Sequence, residues 1–361
     1  MRTLVLRILS LLAVSAAALS SVAALAPAGA SAFEKGVWGP ATYQGVNQFP
    51  LYRKLGARIY QTTLNWNAVA PAKPAHPANP ADPAYQWPAA LTSAIAQAEK
   101  YHMKVLLEVG NAPAWENGGH QGDGWAPRNA KQYALFVEAA AREYPSVRLW
   151  MIWGEPNRSG AFKPETGASY QATALTPAQT RAPHLYALML DDSYAVLKRL
   201  NRRNLVIGGN TYTAGLLDPE QWIANMKLPN GKAPRMSMLG HSPFSYTLPV
   251  FGAAPSSYGE IQFSDLPELE SFTKTYLGHR MPLFISEFCV PTAADHTFNF
   301  YISPPSVAAT WVKDALVTAR HAGYIYALGW AQVHDNMPLN SCGLISASGK
   351  RKPDFYAFSR H

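Results

Sequence analysis

Two glutamates, each at the end of a short apolar run, are the residues in this sequence best suited to chemistry. One run, Leu-Trp-Met-Ile-Trp-Gly-Glu-Pro-Asn, spans residues 149–157 and contains Glu155. The other, Pro-Leu-Phe-Ile-Ser-Glu-Phe, spans residues 282–288 and contains Glu287. Continuous apolar runs of this length are typical of parallel strands that are covered on both faces. Two carboxylates that face each other across the carboxyl ends of such strands are what cleavage of a glycosidic bond requires.

Strand and helix patterns alternate along the chain, which predicts a parallel sheet surrounded by helices. Eight strands are predicted, at residues 36–39, 57–64, 104–109, 147–153, 204–208, 236–240, 283–286 and 325–330. Six helices are predicted between them, at residues 87–101, 129–144, 177–201, 219–226, 267–277 and 306–322. Eight strands are the number in a (β/α)8 barrel (TIM barrel), in which catalytic groups lie at the carboxyl ends of the strands. The first and last helices expected for this fold have no clear pattern.

The first 32 residues have the organisation of a secretory signal peptide. A positive segment ending at Arg7 precedes an apolar stretch over residues 8–25, and Ala-Ser-Ala at residues 30–32 provides a small-residue cleavage site. An uncleaved membrane anchor is the alternative, although the apolar stretch is marginal in length. We therefore expect residues 33–361 to form one secreted, extracytoplasmic catalytic domain with no membrane span after cleavage.

The composition favours a large core and disfavours nucleic acid as a partner. Hydrophobic residues make up 48% of the chain, and the formal charge of +8 falls to +6 once Arg2 and Arg7 leave with the signal peptide. Basic residues form only short clusters, such as residues 350–352, so the positive charge is diffuse. We expect a monomer.

Two cysteines, Cys289 and Cys342, follow the seventh and eighth predicted strands. Because these strands would be neighbours in a barrel and an exported protein meets oxidising conditions, we expect a disulfide, with two free thiols as the alternative. Two cysteines alone cannot form a structural zinc site, and we expect neither a metal ion nor another cofactor.

A proline-rich segment at residues 70–84 follows the second predicted strand and contains five prolines. This content excludes a helix or the interior of a sheet and predicts a polyproline-like excursion. We expect it to lie at the rim of the active site, with an inert surface loop as the alternative.

The two glutamate motifs resemble those of retaining glycoside hydrolases of clan A, the barrel enzymes that include cellulases, mannanases and family 39 β-xylosidases. In that clan a Glu-Pro motif closes the fourth strand and carries the acid/base, while a glutamate at the end of the seventh strand is the nucleophile. Both motifs fall on the corresponding predicted strands here, 132 residues apart. The resemblance implies a hydrolase of O-glycosidic bonds in a poly- or oligosaccharide, with Glu155 as acid/base and Glu287 as nucleophile.

One position departs from the pattern of the clan. Its members usually have asparagine immediately before the acid/base, where the amide holds the 2-hydroxyl of the sugar, but this chain has Gly154. The departure implies either another donor, with Asn157 or Asn111 nearest, or a sugar that lacks an ordinary free 2-hydroxyl. A transglycosidase with the same residues and an inactive carbohydrate-binding barrel are the alternative functions.

Other residues near the predicted strand ends are candidates for substrate binding. The resemblance implies that Trp330 is a platform on which a sugar stacks and that Tyr246, after the sixth strand, orients the nucleophile. Further candidate contacts, with ordinary core packing as the alternative, are His241, Trp66 and Trp115. Glu108 lies within the third predicted strand, and we expect it to belong to a satisfied interior pair rather than to catalysis.

Overall fold

Eight parallel strands close into a barrel in the computed structural model, which describes residues 33–165, 167, 174–252, 259–297 and 302–361. The strands are β1 (Glu34–Trp38), β2 (Ile59–Asn65), β3 (Lys104–Gly110), β4 (Leu149–Ile152), β5 (Leu205–Tyr212), β6 (Met238–Ser242), β7 (Leu283–Phe288) and β8 (Ile325–Trp330). Each strand pairs with the next, and β8 pairs with β1. The predicted (β/α)8 barrel is confirmed, while the predicted signal peptide, residues 1–32, lies outside the described residues.

Apolar side chains fill the interior of the barrel. They form a cluster separate from the larger core between strands and helices, and its members are Ile59, Leu106, Leu149, Met151, Ile207, Met238, Phe284, Tyr326 and Ala327. Such an interior is a packed core rather than a pore. At the carboxyl end of β2, in contrast, Thr63 and Asn65 are exposed, so the barrel opens to solvent at this end.

Helices cover the outside of the barrel. The described helices are α1 (Phe49–Lys54), α2 (Trp66–Val69), α3 (Ala89–Lys100), α4 (Ala114–Asn117), α5 (Ala130–Glu143), α6 (Arg181–Leu200), α7 (Pro219–Asn225), α8 (Leu266–Leu277), α9 (Pro305–Ala322) and α10 (Pro353–Arg360), with a 3-10 turn at Phe263–Asp265. The six predicted helices are all present, with small differences at their ends. Among the described residues, no helix is both long enough and apolar enough to cross a membrane.

Four short helices, α1, α2, α4 and α10, were not indicated by the sequence, and α1 and α10 pack on barrel strands. Helix α1 packs on β2 through Phe49, whose ring lies 4.9 Å from that of Tyr60. Helix α10 packs on β8 through Phe358, whose ring lies 5.7 Å from that of Trp330. Both helices have proline in the first turn, where the missing N–H leaves no helical hydrogen bond unmade.

The proline-rich segment does not form the rim of the barrel mouth. Its middle, residues 75–80, lies against the outer surface of α5, beside Leu135 and Arg142. Tyr85 and Trp87 hold it there by donating hydrogen bonds to backbone carbonyls of the segment. Because Arg142 is in the last turn of α5, on the side away from the carboxyl ends of the strands, the expected position at the active-site rim was wrong.

The loops after β7 and β8 are joined covalently. A disulfide connects Cys289 to Cys342, with a Cα–Cα distance of 5.6 Å. A largely buried ion pair between Lys352 Nζ and Asp335 Oδ1, 2.9 Å apart, fixes the second loop further. These links hold the chain around the carboxyl end of β7, where Glu287 lies.

Candidate active site

A left-handed turn after β4 sets the position of Glu155. The strand ends at Ile152, and both Trp153 (φ 66°) and Glu155 (φ 43°) have positive φ, which residues other than glycine rarely adopt. The indole of Trp153 is buried, and its Nε1 donates a hydrogen bond to the Ala161 carbonyl over 2.7 Å. Backbone strain that packing holds in place beside a carboxylate is typical of active sites.

A bulge in β7 sets the position of Glu287. Ile285 pairs with Leu328 of β8, but the next pair is Phe288 with Trp330, so β7 has one more residue than β8 between these pairs. Bulges re-aim side chains and are common beside active sites. Here Phe288 stays fully buried, whereas the Glu287 side chain is partly exposed.

A third glutamate, Glu108 of β3, lies in the same site. Leu106 points into the barrel interior, and because side chains alternate along a strand, Glu108 points to the same side two residues nearer the mouth. Its register neighbour in β4 is Met151, another interior residue. No described residue makes a hydrogen bond or an ion pair with the Glu108 carboxyl. The expectation that Glu108 belongs to a satisfied interior pair was therefore wrong.

The charges of these three carboxyl groups affect one another's protonation. Burial is the largest cause of the shift in each, and it raises the pKa of Glu108 to about 8 and that of Glu287 well above its ordinary value. The charge of Glu155 raises both pKa values further, and Glu108 also acts on Glu287. Carboxyls buried this close together cannot all be ionised at neutral pH, and a retained proton is what acid/base chemistry needs. Within the described ranges, no three His, Cys, Asp or Glu side chains are placed to hold a metal ion.

Arg158 brings positive charge to Glu155. Its Nε lies 2.6 Å from Glu155 Oε2, and it lowers the pKa of this carboxyl, although burial still raises that pKa overall. The Arg158 side chain is 52% exposed, so the ion pair lies at the edge of the solvent. The other oxygen, Oε1, is buried without a hydrogen-bond partner among the described residues. The Ser242 hydroxyl favours the ionised form of Glu155, although its geometry falls short of a hydrogen bond.

Two aromatic residues that the sequence did not indicate lie beside the carboxyls. Tyr212 is the last residue of β5, and burial, then the charges of Glu155 and Glu287, raise its pKa to about 12. Trp38 is the last residue of β1, and its Nε1 donates a hydrogen bond over 3.1 Å to the carbonyl of Ser286, which precedes Glu287. Trp38 also lines a cavity of about 400 Å³ at the ends of β1 and β8. The predicted fifth strand stopped at residue 208, which is why Tyr212 was missed.

Asn157 and Asn111 hold loops together. Asn157 is 2% exposed; its Nδ2 donates to two backbone carbonyls and its Oδ1 accepts from the Tyr212 amide. Asn111 (φ 61°) donates to Asn65 Oδ1 and accepts from the Gly124 amide, each over 2.7 Å. Asn157 is buried with both amide donors in use, so it does not fit the expected role of substitute donor to the substrate. Asn111 is partly exposed and uses one of its two amide donors, so its expected role stays a prediction.

His241 is a core histidine and does not contact the site. It is fully buried, its Nδ1 lies 2.8 Å from the Thr211 hydroxyl, and its Nε2 lies 2.9 Å from the Ile261 carbonyl. Burial lowers its pKa to about 4, so the ring is neutral at ordinary pH. The expected substrate contact was wrong. Tyr246 is 38% exposed in the loop after β6, and its role beside the nucleophile stays a prediction.

Trp330 and Trp66 pack in the core. Trp330 is fully buried, with its Nε1 donating to the Cys342 carbonyl over 3.0 Å, so the expected sugar-stacking platform was wrong. Trp66 is 1% exposed and cannot stack on a sugar either. Trp115 is partly exposed and meets Trp66 edge-on, with ring centroids 5.5 Å apart. Trp38 donates a hydrogen bond to the residue before Glu287, while substrate contact by Trp115 stays a prediction.

Comparisons with known proteins support this fold. No family model matches the chain, and no curated protein matches it in sequence. A family 39 glycoside hydrolase from the gut symbiont Bacteroides cellulosilyticus WH2 is similar with a TM-score of 0.66 and 18% identity, over 92% of this chain and 64% of that one. A glucosidase from Croceicoccus marinus has a TM-score of 0.64 and 14% identity, over 91% and 67%. A monomeric β-xylosidase from Caulobacter crescentus CB15 has a TM-score of 0.60 and 15% identity, over 91% and 67%. This chain thus spans 64 to 67% of the length of these proteins, and its barrel is similar to that of family 39 glycoside hydrolases.

Proposed function

We propose that this protein is a secreted retaining glycoside hydrolase that cleaves O-glycosidic bonds of a poly- or oligosaccharide. Glu287 is the nucleophile and Glu155 is the acid/base. The observation that carries the proposal is a pair of glutamates at the barrel mouth, one in the turn after β4 and one in the bulge of β7, where the charge of Glu155 raises the pKa of Glu287. No other described pair of carboxyls combines strained or bulged backbone with mutual electrostatic influence at the barrel mouth.

The two groups divide the reaction into two displacements. Glu287 attacks the anomeric carbon while Glu155 gives its proton to the leaving oxygen, and a glycosyl ester forms on Glu287. Water then attacks the same carbon, Glu155 accepts the proton of that water, and Glu287 is released as a carboxylate. Carboxyl groups about 5–5.5 Å apart suit this route, and we expect that separation here.

Arg158 is placed to influence the protonation of the acid/base. Its charge lowers the pKa of Glu155, which burial raises overall, while burial and the charges of Glu155 and Glu108 raise the pKa of Glu287. The first displacement needs a proton on Glu155 and an ionised Glu287. Movement of Arg158 away from Glu155 favours the proton on Glu155, and the 52% exposure of the Arg158 side chain gives it room to move.

Aryl β-glucosides and β-xylosides are the first substrates to test, because a glucosidase and a β-xylosidase are among the solved structures with a similar barrel. The predicted signal peptide places this activity outside the cytoplasm, in the degradation of extracellular carbohydrate. No residue of the proposed mechanism requires a cofactor.

A 2-fluoro aryl glycoside tests the covalent step. Fluorine at C2 slows release of the glycosyl-enzyme, so the intact mass should rise by one fluoroglycosyl group, and peptide mapping should place that group on Glu287. Glu287→Gln should prevent labelling and abolish turnover with no change in the unfolding transition. Glu155→Ala should retain activity on substrates with good leaving groups and gain rate with azide, and Glu99→Gln, on the exposed face of α3, is the control.

The same experiment separates the alternatives. A label on another residue, or normal turnover by Glu287→Gln, would contradict the assignment. Transfer of the labelled sugar to an added sugar instead of water would identify a transglycosidase. Sugar binding with neither label nor turnover would identify an inactive carbohydrate-binding barrel.

A further inference from the structure

Gly154, the residue before Glu155, faces the carboxyl of Glu108 so closely that a side chain here would displace it. A Cβ built on its backbone would lie 2.6 Å from both carboxyl oxygens of Glu108 and 2.7 Å from the carboxyl carbon. Heavy atoms that are not bonded pack at about 3.5–4.0 Å, so these distances are an overlap. The carboxyl of Glu108 therefore occupies the space beside the acid/base that a side chain at position 154 would take.

The Glu108 carboxyl is held in this space without a partner from the protein. Its strand is fixed on both sides, in register with Thr63 of β2 and Met151 of β4. Thr63 is exposed in the barrel mouth, so the carboxyl lies between the packed interior and the open end. The Glu108 side chain is only partly exposed, and its carboxyl has no hydrogen-bond partner among the described residues, so its donor and acceptor sites are open towards the mouth of the barrel. This arrangement points to a polar group of a ligand.

We infer that Glu108 is a substrate-binding residue that holds the ring hydroxyl on the carbon next to the anomeric carbon. The inference rests on the proposed function, because Glu155 and Glu287 then define the position of the anomeric carbon. The Glu108 carboxyl lies next to the residue before the acid/base, and its charge also acts on the nucleophile. A sugar whose anomeric carbon lies between Glu155 and Glu287 would therefore have its C2 beside Glu108. The hydrogen bond to this hydroxyl forms in the bound ground state and strengthens in the transition state, so the contact acts on kcat as well as on KM.

A protonated carboxyl suits a sugar hydroxyl because it donates one hydrogen bond and accepts another. Burial, followed by the charge of Glu155, raises the pKa of Glu108 to about 8 against the opposing charge of Arg158. The other titratable groups that face it are Glu287, Tyr133 of α5 and Tyr186 of α6. Glutamine, which is neutral and also has a donor and an acceptor, is thus the closest functional replacement, whereas alanine removes both.

A matched pair of substrates tests the contact: the aryl β-glycoside that the parent protein hydrolyses, and its 2-deoxy counterpart. Glu108→Ala should lower kcat/KM on the first substrate about 10²–10³-fold. On the 2-deoxy substrate the loss should be less than about threefold, because the contact is already missing. Glu108→Gln should stay within about tenfold of the parent on both substrates. Equal losses on the two substrates, or no loss on either, would overturn the inference.

Substitutions at position 154 test the shared space. Gly154→Ala should displace the Glu108 carboxyl and reproduce the kinetic loss, but in a Glu108→Ala background it should add little, since the space is then empty. Gly154→Asn combined with Glu108→Gly should be more active than Glu108→Gly alone, because the amide can enter the vacated space. If the losses from Gly154→Ala and Glu108→Ala are fully additive, the two side chains do not share one space. The same conclusion follows if Gly154→Asn restores no activity to Glu108→Gly.

A binding measurement distinguishes failure of this inference from failure of the proposed function. If the parent hydrolyses no glycoside, calorimetry with methyl β-glucoside and its 2-deoxy counterpart replaces the kinetics. A preference for the hydroxylated sugar that disappears in Glu108→Ala supports the contact even without hydrolysis. Equal binding of the two sugars by the parent overturns it.

Discussion

Replacing Glu108 with glutamine should stabilise the protein at neutral pH. The carboxyl is partly shielded from water in the barrel mouth, and this burial, followed by the charge of Glu155, raises its pKa from 4.5 to about 8. The native state therefore holds a proton that the unfolded chain releases near pH 4.5. Glutamine has the same shape and does not titrate, so it avoids the free energy of keeping that proton.

The pH dependence of this effect follows from linkage. Because the folded pKa lies above the unfolded one, stability is highest below pH 4.5 and falls as the pH rises towards 8, by about 1.4 kcal/mol per pH unit. At pH 7 the parent should have lost about 3 kcal/mol of unfolding free energy relative to pH 4 as a result of this group. Glu108→Gln should therefore match the parent at pH 4 and exceed it by about 3 kcal/mol at pH 7.

Urea unfolding at pH values from 4 to 9 measures the difference, with Glu99→Gln as a control for the loss of an exposed carboxyl. Comparison of Glu108→Gln with the parent measures the titration of Glu108 together with its effect on the pKa of Glu287, which the charge of Glu108 raises. The expected difference increases from pH 4.5 to 8 and is constant above that range. A difference that does not vary with pH, or a parent that is the more stable protein at pH 7, would refute the argument and show a solvated or paired carboxyl.

Three further results are expected. Replacing Cys289 and Cys342 with serine should cost about 4 kcal/mol of unfolding free energy in urea, since the disulfide spans 53 residues; a loss under 1 kcal/mol would show that the loop is held by its other contacts. The pKa of His241 is lowered from 6.5 to about 4, so the protein should lose about 1.4 kcal/mol per pH unit as the pH falls across this interval, a dependence that His241→Asn should remove. Arg158→Ala should raise the pKa of Glu155 and move the basic limb of the kcat/KM profile to higher pH; an unmoved limb would assign it to another group.

The strands and the long helices could be predicted because their signals are local. Strand β8 is an apolar run with the predicted bounds, and the apolar period of α5 is visible in the sequence. Helices α1 and α10 have only six and eight residues, too few for a period of 3.6 to be distinguished from chance. They form because packing on β2 and β8 stabilises them, which the sequence alone does not show.

The positions of Glu155 and Glu287 could be predicted for the same reason, since each glutamate adjoins an apolar strand. The residues around them could not, because their direction depends on register. After the irregularity between Ile325 and Ala327 in β8, side chains alternate between the two faces of the strand. Trp330 lies on the same face as Leu328, which is in the core between strands and helices, so it packs outside the barrel interior. Asn157 closes loops through partners 55 and 60 residues away, which no spacing rule reveals. Glu108 was placed correctly inside the barrel, but the lack of a partner is visible only in three dimensions.

The position of Glu108 connects the choice of glycine at position 154 with the charge of the site. An asparagine amide at 154 would be neutral at every pH, whereas a carboxyl in the same space donates a hydrogen bond only while it keeps its proton. Burial is the largest of the causes that raise the pKa of Glu108 to about 8, so the carboxyl keeps its proton at neutral pH. The same burial keeps negative charge from accumulating next to Glu155 and Glu287, since a third ionised carboxyl would raise both of their pKa values further. A carboxyl can therefore take the place of the amide only where the barrel mouth excludes enough water to keep it protonated. The absence of a side chain at Gly154 allows the carboxyl to reach that place.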